Sequence, residues 1–330
     1  MAGSGVVRCT KVGPVLGPKA SPQPPKGCRL CGRGAKLVLF ATGRCDHSCF
    51  YCPISPEKKG VDRAFANERP VRGIDDLLDE ARDMKALGAG VTGGDPLKSQ
   101  KTFSFIQALK ENFSPKFHIH LYTRTTDPRL LARAYDAGVD EIRFHWADPR
   151  NALALGDAWE VGAEVPVIPG QAEKLKTYIH KMDVAGVTFI NLNEFEFSDS
   201  NFPALIRRGF LHKDGEPGSL EVEGSETLAL DLLDWAKTSL DINLTLHYCS
   251  ARTKLFTQLV ERYKRTATHI ARPFEQVTEE GTLLVGEVKD ASGKWLPTSP
   301  AKARKTKGGR LVEYWPTFDR KPVEITYFGP

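Results

Sequence analysis

No apolar run in the chain approaches the ~20 residues that cross a bilayer, and the N-terminus shows no charged-then-apolar leader. The expectation is a protein without a membrane span, placed in the cytoplasm. A phosphate-binding P-loop is also missing, so chemistry built on that loop is not expected. Methionine is scarce at 3 residues, and the 8 histidines are scattered without a local metal-binding pattern. Seven cysteines in 330 residues are too few for a disulfide scaffold. In a reducing compartment they are expected to be thiolate ligands or core residues. Six of them crowd into the first 52 positions, at Cys9, Cys28, Cys31, Cys45, Cys49 and Cys52, a distribution that core packing does not explain.

What is present divides into three stretches. Residues 1–35 form an arm rich in Pro and Gly, with Pro14, Pro18, Pro22, Pro24 and Pro25, that ends in the two-residue-gap pair "CRLC". Residues 36–250 alternate strand and helix patterns. Strands are expected at "KLVLFAT", "AGVTG", 117–123, 139–146, 162–169, 187–197 and "INLTLHYC", with helices over "IDDLLDEARDMKALG", 101–112, 128–136, 171–185 and 225–239. Six or seven β/α units, with strands dense in Val, Ile, Leu and Phe, favour an α/β fold built as a parallel barrel or partial barrel. Chemistry then belongs at the C-terminal ends of the strands. Residues 251–330 are expected to hold a basic helix at about 251–269 and a small β-rich extension, with "PAKARKTKGGR" as a mobile loop between its strands. The net charge of +5 is concentrated there, since residues 250–330 hold 15 Lys and Arg against 9 Asp and Glu. Such a face suits nucleic acid or another acidic partner, or is simply solvated.

Directly after the first expected strand stands "TGRCDHSCFYCPIS", with thiols at Cys45, Cys49 and Cys52. A closed zinc site takes four ligands and a redox CxxC pair takes two, so three thiolates from one loop indicate a metal centre with a vacancy. A zinc knot completed by Asp46, His47 or a distant cysteine is the alternative. The spacing Cys45-x3-Cys49-x2-Cys52, with Tyr51 before the last cysteine, resembles the signature of the radical S-adenosylmethionine superfamily. The resemblance implies a [4Fe-4S] cluster held at three irons by these thiolates, with the fourth iron left to the amino and carboxylate groups of S-adenosylmethionine. An electron from the reduced cluster would cleave the sulfur–C5′ bond, and the 5′-deoxyadenosyl radical would abstract hydrogen from a substrate. A partial TIM barrel of the (β/α)6 type is implied as well.

Further residues follow from the same resemblance. "TGGDP" ends the second strand: Gly93 and Gly94 would bring backbone close to the cofactor, and Asp95, where the family more often has Glu, would accept from the methionine ammonium group. "VPVIPG" at 165–170 resembles a fifth-strand stretch of activases of the pyruvate formate-lyase type. Thr123 and Arg124, Arg143 and His145, and Asn191, Asn193 and Glu194 stand at later strand ends. Alternation turns Arg143 with His145, and Asn191 with Asn193, to one face, where each could contact cofactor or substrate or be an ordinary satisfied polar group. "CRLC" and "LHYC" offer a second metal site from Cys28, Cys31, Cys249 and His247 or Cys9, for zinc or an auxiliary iron–sulfur cluster, with free buried thiols as the alternative. Together with "NLNEFEFS", these motifs look like a chiefly archaeal branch of the superfamily related to pyruvate formate-lyase activating enzyme.

The expected function is a radical enzyme acting on a macromolecule, tRNA or protein, with a reductant protein as partner. An activase that places a glycyl radical on another enzyme, a small-molecule radical enzyme, and a non-catalytic metal-binding protein that binds RNA remain as alternatives. Substrate, electron donor and oligomeric state are not legible.

Overall fold

Alternation along the strands creates two faces of opposite character. The computed structural model describes residues 24–215, 219–239 and 241–329. Within them, β1 (Lys36–Thr42), β2 (Ala64–Ala66), β3 (Arg69–Val71), β4 (Gly88–Gly93), β5 (His118–Thr123), β6 (Glu141–Phe144), β7 (Glu160–Val167), β8 (Phe189–Glu194) and β9 (Thr245–Cys249) make one sheet in the order β3-β2-β1-β4-β5-β6-β7-β8-β9. β1 and β4 to β9 are parallel neighbours, while β2 and β3 add an antiparallel hairpin beside β1. Helices Ile74–Asp83, Lys101–Asn112, Pro128–Asp136, Arg150–Leu153, Ala172–Ala185 and Ser225–Thr238 carry the chain between successive parallel strands. The result is a mostly parallel α/β sheet, as the alternating pattern predicts.

One row of each strand is apolar. Leu37, Ala89, Ile119, Ile142, Val161, Ile190 and Leu246 are buried against Leu77, Ile106, Leu131, Leu175 and Leu232 of the helices. Each fully buried Leu or Ile there contributes about 1.5–3 kcal/mol. The other row is polar yet also buried: Lys36, His118, His120, Glu141, Arg143, Asn191 and His247. A buried charge is tolerable only when paired, and this row is cross-linked across neighbouring strands, as described below.

The helix Lys26–Cys31 lies against this polar row, with the Gly27 amide donating to Glu141 Oε2 at 2.9 Å. The "CRLC" pair stands on this helix, its two cysteines three positions apart on one face. The arm before residue 24, with Cys9, lies outside the described residues.

After β9 a continuous helical stretch covers 251–270, with π-helical geometry at Lys254–Leu259. Its cations largely serve the fold. Arg262 pairs with Glu68 at 2.6 Å, Arg265 bonds the carbonyls of Met84 and Lys85, and His269 reaches the Asp83 carbonyl. This favours the amphipathic-cover reading of the helix over a phosphate-binding one. Strands β10 (Gln276–Val277), β11 (Leu283–Lys289), β12 (Trp295–Thr298), β13 (Arg310–Tyr314) and β14 (Pro322–Tyr327) form a separate antiparallel sheet. The segment expected as a mobile loop instead contains the helix Pro300–Lys305, started by Ser299 accepting from the Lys302 amide and by Pro at the first position. Among the described residues no helix is long and apolar enough to cross a membrane.

Candidate functional site

The cysteine loop is pinned before any thiol is placed. Gly43 donates to the Val61 carbonyl and Gly60 to the Gly43 carbonyl, each at 2.8 Å, closing the loop at its base. The end of β4 then lies directly on its backbone, through Gly94 N–H to the Thr42 carbonyl at 2.8 Å and Asp95 N–H to the Arg44 carbonyl at 2.7 Å. Two glycines make that approach possible. Gly93 has a φ of +146°, and a Cβ there would lie 2.2 Å from the Thr42 oxygen; a Cβ at Gly94 would lie 2.3 Å from the Arg44 oxygen.

Cys45, Cys49 and Cys52 all line one cavity of about 790 Å³ at the C-terminal ends of the parallel strands. Its walls include Tyr51 of the loop, Gly93 and Gly94 after β4, Thr123 and Arg124 after β5, His145, Glu164, Asn193 and Glu194. A turn with Cys52 N–H donating to the Cys49 carbonyl fixes the last two cysteines relative to each other. Arg124 Nη1 stands 3.4 Å from Cys49 Sγ, and its Nε is buried with no partner among the described residues.

Tyr51 and His145 form a linked pair, with the Tyr51 hydroxyl 3.0 Å from His145 Nε2 and His145 Nδ1 3.0 Å from the Glu164 carbonyl. A carbonyl can only accept, so Nδ1 carries the proton and Nε2 accepts from Tyr51. Burial lowers the His145 pKa and keeps the ring neutral. Asn193 donates to Glu164 Oε1 at 2.6 Å and Asn191 to Glu164 Oε2 at 2.8 Å. Burial pushes the Glu164 carboxyl up, but Arg143 and the two amides outweigh it and hold it below the usual range. Glu164 is thus the hub of the cavity floor. Its alternation with Gly162 and Pro166 in β7 places it on the inner face, a signal obscured by the apolar residues around it.

Two expected cofactor contacts are placed elsewhere. Asp95 is 1% exposed and does not line the cavity. Its Oδ1 accepts from Thr123 Oγ1 at 2.8 Å and Leu97 N–H at 3.2 Å, and its Oδ2 accepts from Arg124 N–H at 3.0 Å. It caps the turn at Pro96–Lys98 and ties β4 to β5, so its oxygens are engaged before any ammonium arrives. Arg143 lies below the floor, donating to Glu141 at 2.6 Å, Glu164 at 2.7 Å, the Tyr122 hydroxyl and Cys28 Sγ. It supports Glu164 and Tyr122, which do reach the cavity.

Of the residues expected to form a second metal site, Cys28, Cys31 and Cys249 lie close enough to one another for their charges to interact. Cys28 Sγ receives Arg143 and Asn191 N–H groups at 3.2 Å each, and Cys249 Sγ is near Gln258 Nε2 at 3.6 Å. His247 Nδ1 is buried with no partner among the described residues. Among the described residues no three Cys, His, Asp or Glu side chains gather tightly enough to hold a single ion. The loop thiols instead share the wall of a large cavity, an arrangement that fits a polynuclear cluster, whose corners hold their thiolates farther apart than one ion does. The donor set, three thiols and no fourth, fits the same group.

Comparison with known proteins agrees with this site. A family model described as a 4Fe-4S single cluster domain matches residues 30–144. A protein of Methanocaldococcus jannaschii named as a glycyl-radical enzyme activating enzyme is 37% identical over 281 residues, which is 79% of this chain and 72% of that protein. Among solved structures, Streptococcus suis SuiB bound to S-adenosylmethionine aligns with a TM-score of 0.45 and 10% identity, over 68% of this chain and 53% of SuiB. The radical S-adenosylmethionine methyltransferase TsrM of Kitasatospora setae aligns with a TM-score of 0.39 and 11% identity, over 75% of this chain and 55% of TsrM. The chain thus spans about half the length of these two structures. With the cysteine loop and the extended identity to one relative in agreement, the chain belongs to the radical S-adenosylmethionine superfamily, as an enzyme of [4Fe-4S] and S-adenosylmethionine chemistry.

Proposed function

We propose that Cys45, Cys49 and Cys52 hold the cluster and that the enzyme generates its radical for a protein substrate, as an activating enzyme that places a glycyl radical on a partner. The observation that carries the first part is the shared cavity: all three thiols of one pinned loop face it, together with a polar floor of His145, Glu164 and Asn193. The partner class rests on the name of the M. jannaschii relative. The seven parallel strands in sequential order are read as the expected partial barrel, with the cavity at its mouth.

A cluster held by Cys45, Cys49 and Cys52, with S-adenosylmethionine bound beside it, would supply reductive cleavage and hydrogen abstraction. The chain's own groups bind and orient. Arg124, whose Nη1 lies 3.4 Å from Cys49 Sγ, would turn its guanidinium to the cofactor carboxylate, and Gly93 and Gly94 seat the cysteine loop on the end of β4. Tyr51 and the neutral His145, already linked, would present a fixed edge to the nucleoside, and Glu164 fixes Asn193 by its hydrogen bond. Preorganised donors of this kind cost no rearrangement when the bond breaks.

The reading is tested with anaerobically reconstituted enzyme, S-adenosylmethionine and a candidate glycyl-radical protein, following 5′-deoxyadenosine and the glycyl radical signal by EPR. The expected result is nucleoside formation that rises with the partner protein and a radical on that protein. Nucleoside formation stimulated by tRNA and indifferent to protein partners would contradict it.

A further inference from the structure

A second groove adjoins the cysteine loop. It has a volume of about 570 Å³, and its wall includes Cys49, Arg124, Lys174, Arg208, Phe50 and Trp146. Among the described residues no acidic side chain lines it. Lys174 Nζ stands 4.6 Å over the Trp146 ring and the Arg208 guanidinium 4.4 Å over the Phe50 ring. Lys174 also bonds the Gln171 amide oxygen at 3.3 Å, and Arg208 the Ala204 carbonyl at 3.0 Å. These are neutral partners, so both positive charges stay uncancelled on exposed side chains. Aromatic faces hold them in place without neutralising them.

Position gives the groove its meaning. It shares His47, Ser48, Cys49, Tyr51 and Arg124 with the cofactor cavity, so the two spaces adjoin along the cysteine loop. Arg124 reaches from the groove wall to within 3.4 Å of Cys49 Sγ. A reductant seated in the groove would meet a cluster ligand directly, without entering the cavity where water and side reactions must be kept from the radical.

We propose that this groove is the docking site of an acidic one-electron carrier protein, and that electrons enter the cluster past Cys49. The inference rests on the reading that Cys49 is a cluster ligand. In the step itself the carrier loses one electron and is oxidised, the cluster gains that electron and is reduced, and no group is transferred. Small, weakly held, charge-steered encounters are typical of electron-transfer pairs. A cationic patch with few hydrogen bonds to offer suits that kind of partner. Nucleic acid would also be drawn to the charge, but it has no need of contact with a cluster ligand.

The test compares the reconstituted enzyme with a Lys174→Glu, Arg208→Glu variant, following cluster bleaching by stopped-flow absorbance. One donor is a reduced acidic flavodoxin; the other is reduced methyl viologen, a small cation. The expected result is a rate with flavodoxin that falls about tenfold or more in the variant at low salt, and that falls with added salt in the parent. With viologen the variant is not slowed and yields as much 5′-deoxyadenosine as the parent. Equal flavodoxin rates in parent and variant, or a parent rate indifferent to salt, overturns the proposal. So does a variant that loses tRNA binding while keeping its flavodoxin rate, which would make the groove a nucleic-acid surface. Failure of the viologen-reduced parent to form any 5′-deoxyadenosine would count against the radical function instead, and the bleaching rates would still decide the docking site.

Discussion

Gly94→Ala is expected to give a protein that folds with a stability loss of about 1–3 kcal/mol and takes up little iron in the cysteine loop on reconstitution. The added Cβ would lie 2.3 Å from the Arg44 carbonyl oxygen and close to the Gly43 oxygen, both backbone atoms of the loop that cannot swing aside. Either the loop lifts from the end of β4 or β4 bends away, and the bonds to the Thr42 and Arg44 carbonyls are lost in both cases. Those bonds set where Cys45 begins, so the cost falls on cluster assembly more than on the fold. Gly73→Ala is the control, since nothing lies within 4 Å of a Cβ there. Iron content, visible absorbance and melting temperature report the result. Iron uptake by Gly94→Ala equal to that of the control would show that this backbone approach does not position the loop.

Arg143→Leu is expected to destabilise the protein by about 3–5 kcal/mol, because the change leaves two carboxylates without their buried counter-charge. Arg143 is 2% exposed, Glu141 is fully buried and Glu164 sits in the cavity floor. The pH dependence identifies the cause. Glu164 is held below the usual carboxylate range in the parent, so its contribution is present above the ordinary Glu pKa and is lost as pH falls through the lowered value. Without Arg143 that contribution is gone, and the stability gap between parent and variant should be widest at neutral pH and narrow on acidification. Chemical denaturation at several pH values measures it. A gap constant with pH would mean that lost packing, rather than stranded charge, is responsible.

How far the sequence showed this in advance can be followed residue by residue. The loop of Cys45, Cys49 and Cys52 was legible because local spacing alone puts the three cysteines on one short loop. The parallel strands were legible because each carries an apolar row at period two, and the long crossover helices because their apolar positions recur. The hairpin of β2 and β3 was missed, being two three-residue strands with too few positions to show a period. The helix at Lys26–Cys31 was hidden for the same reason. The helix at Pro300–Lys305 did carry a signal, a serine followed by proline, but a run of basic residues masked it.

At the site, the inward face of Arg143 and His145 followed from alternation, but their depth did not. Depth depends on register with neighbouring strands, which sets Arg143 opposite Gly162 and Glu164 opposite Asn191. Asp95 was ambiguous by nature, since an acidic residue after two glycines can receive a ligand or cap the next turn. Here the following proline and the Thr123 hydroxyl decide for the cap. The second groove was beyond reach, as Lys174, Arg208 and Arg124 meet only through the fold.

The most direct test of the account is to reconstitute the enzyme anaerobically beside a Cys45→Ala, Cys49→Ala, Cys52→Ala variant, reduce both with dithionite in the presence of S-adenosylmethionine, and measure iron and 5′-deoxyadenosine. The account predicts about four irons per chain and nucleoside in the parent, with both lost in the variant while its fold persists. A fully loaded parent that forms no nucleoside, and whose EPR spectrum is unchanged by S-adenosylmethionine, would contradict it.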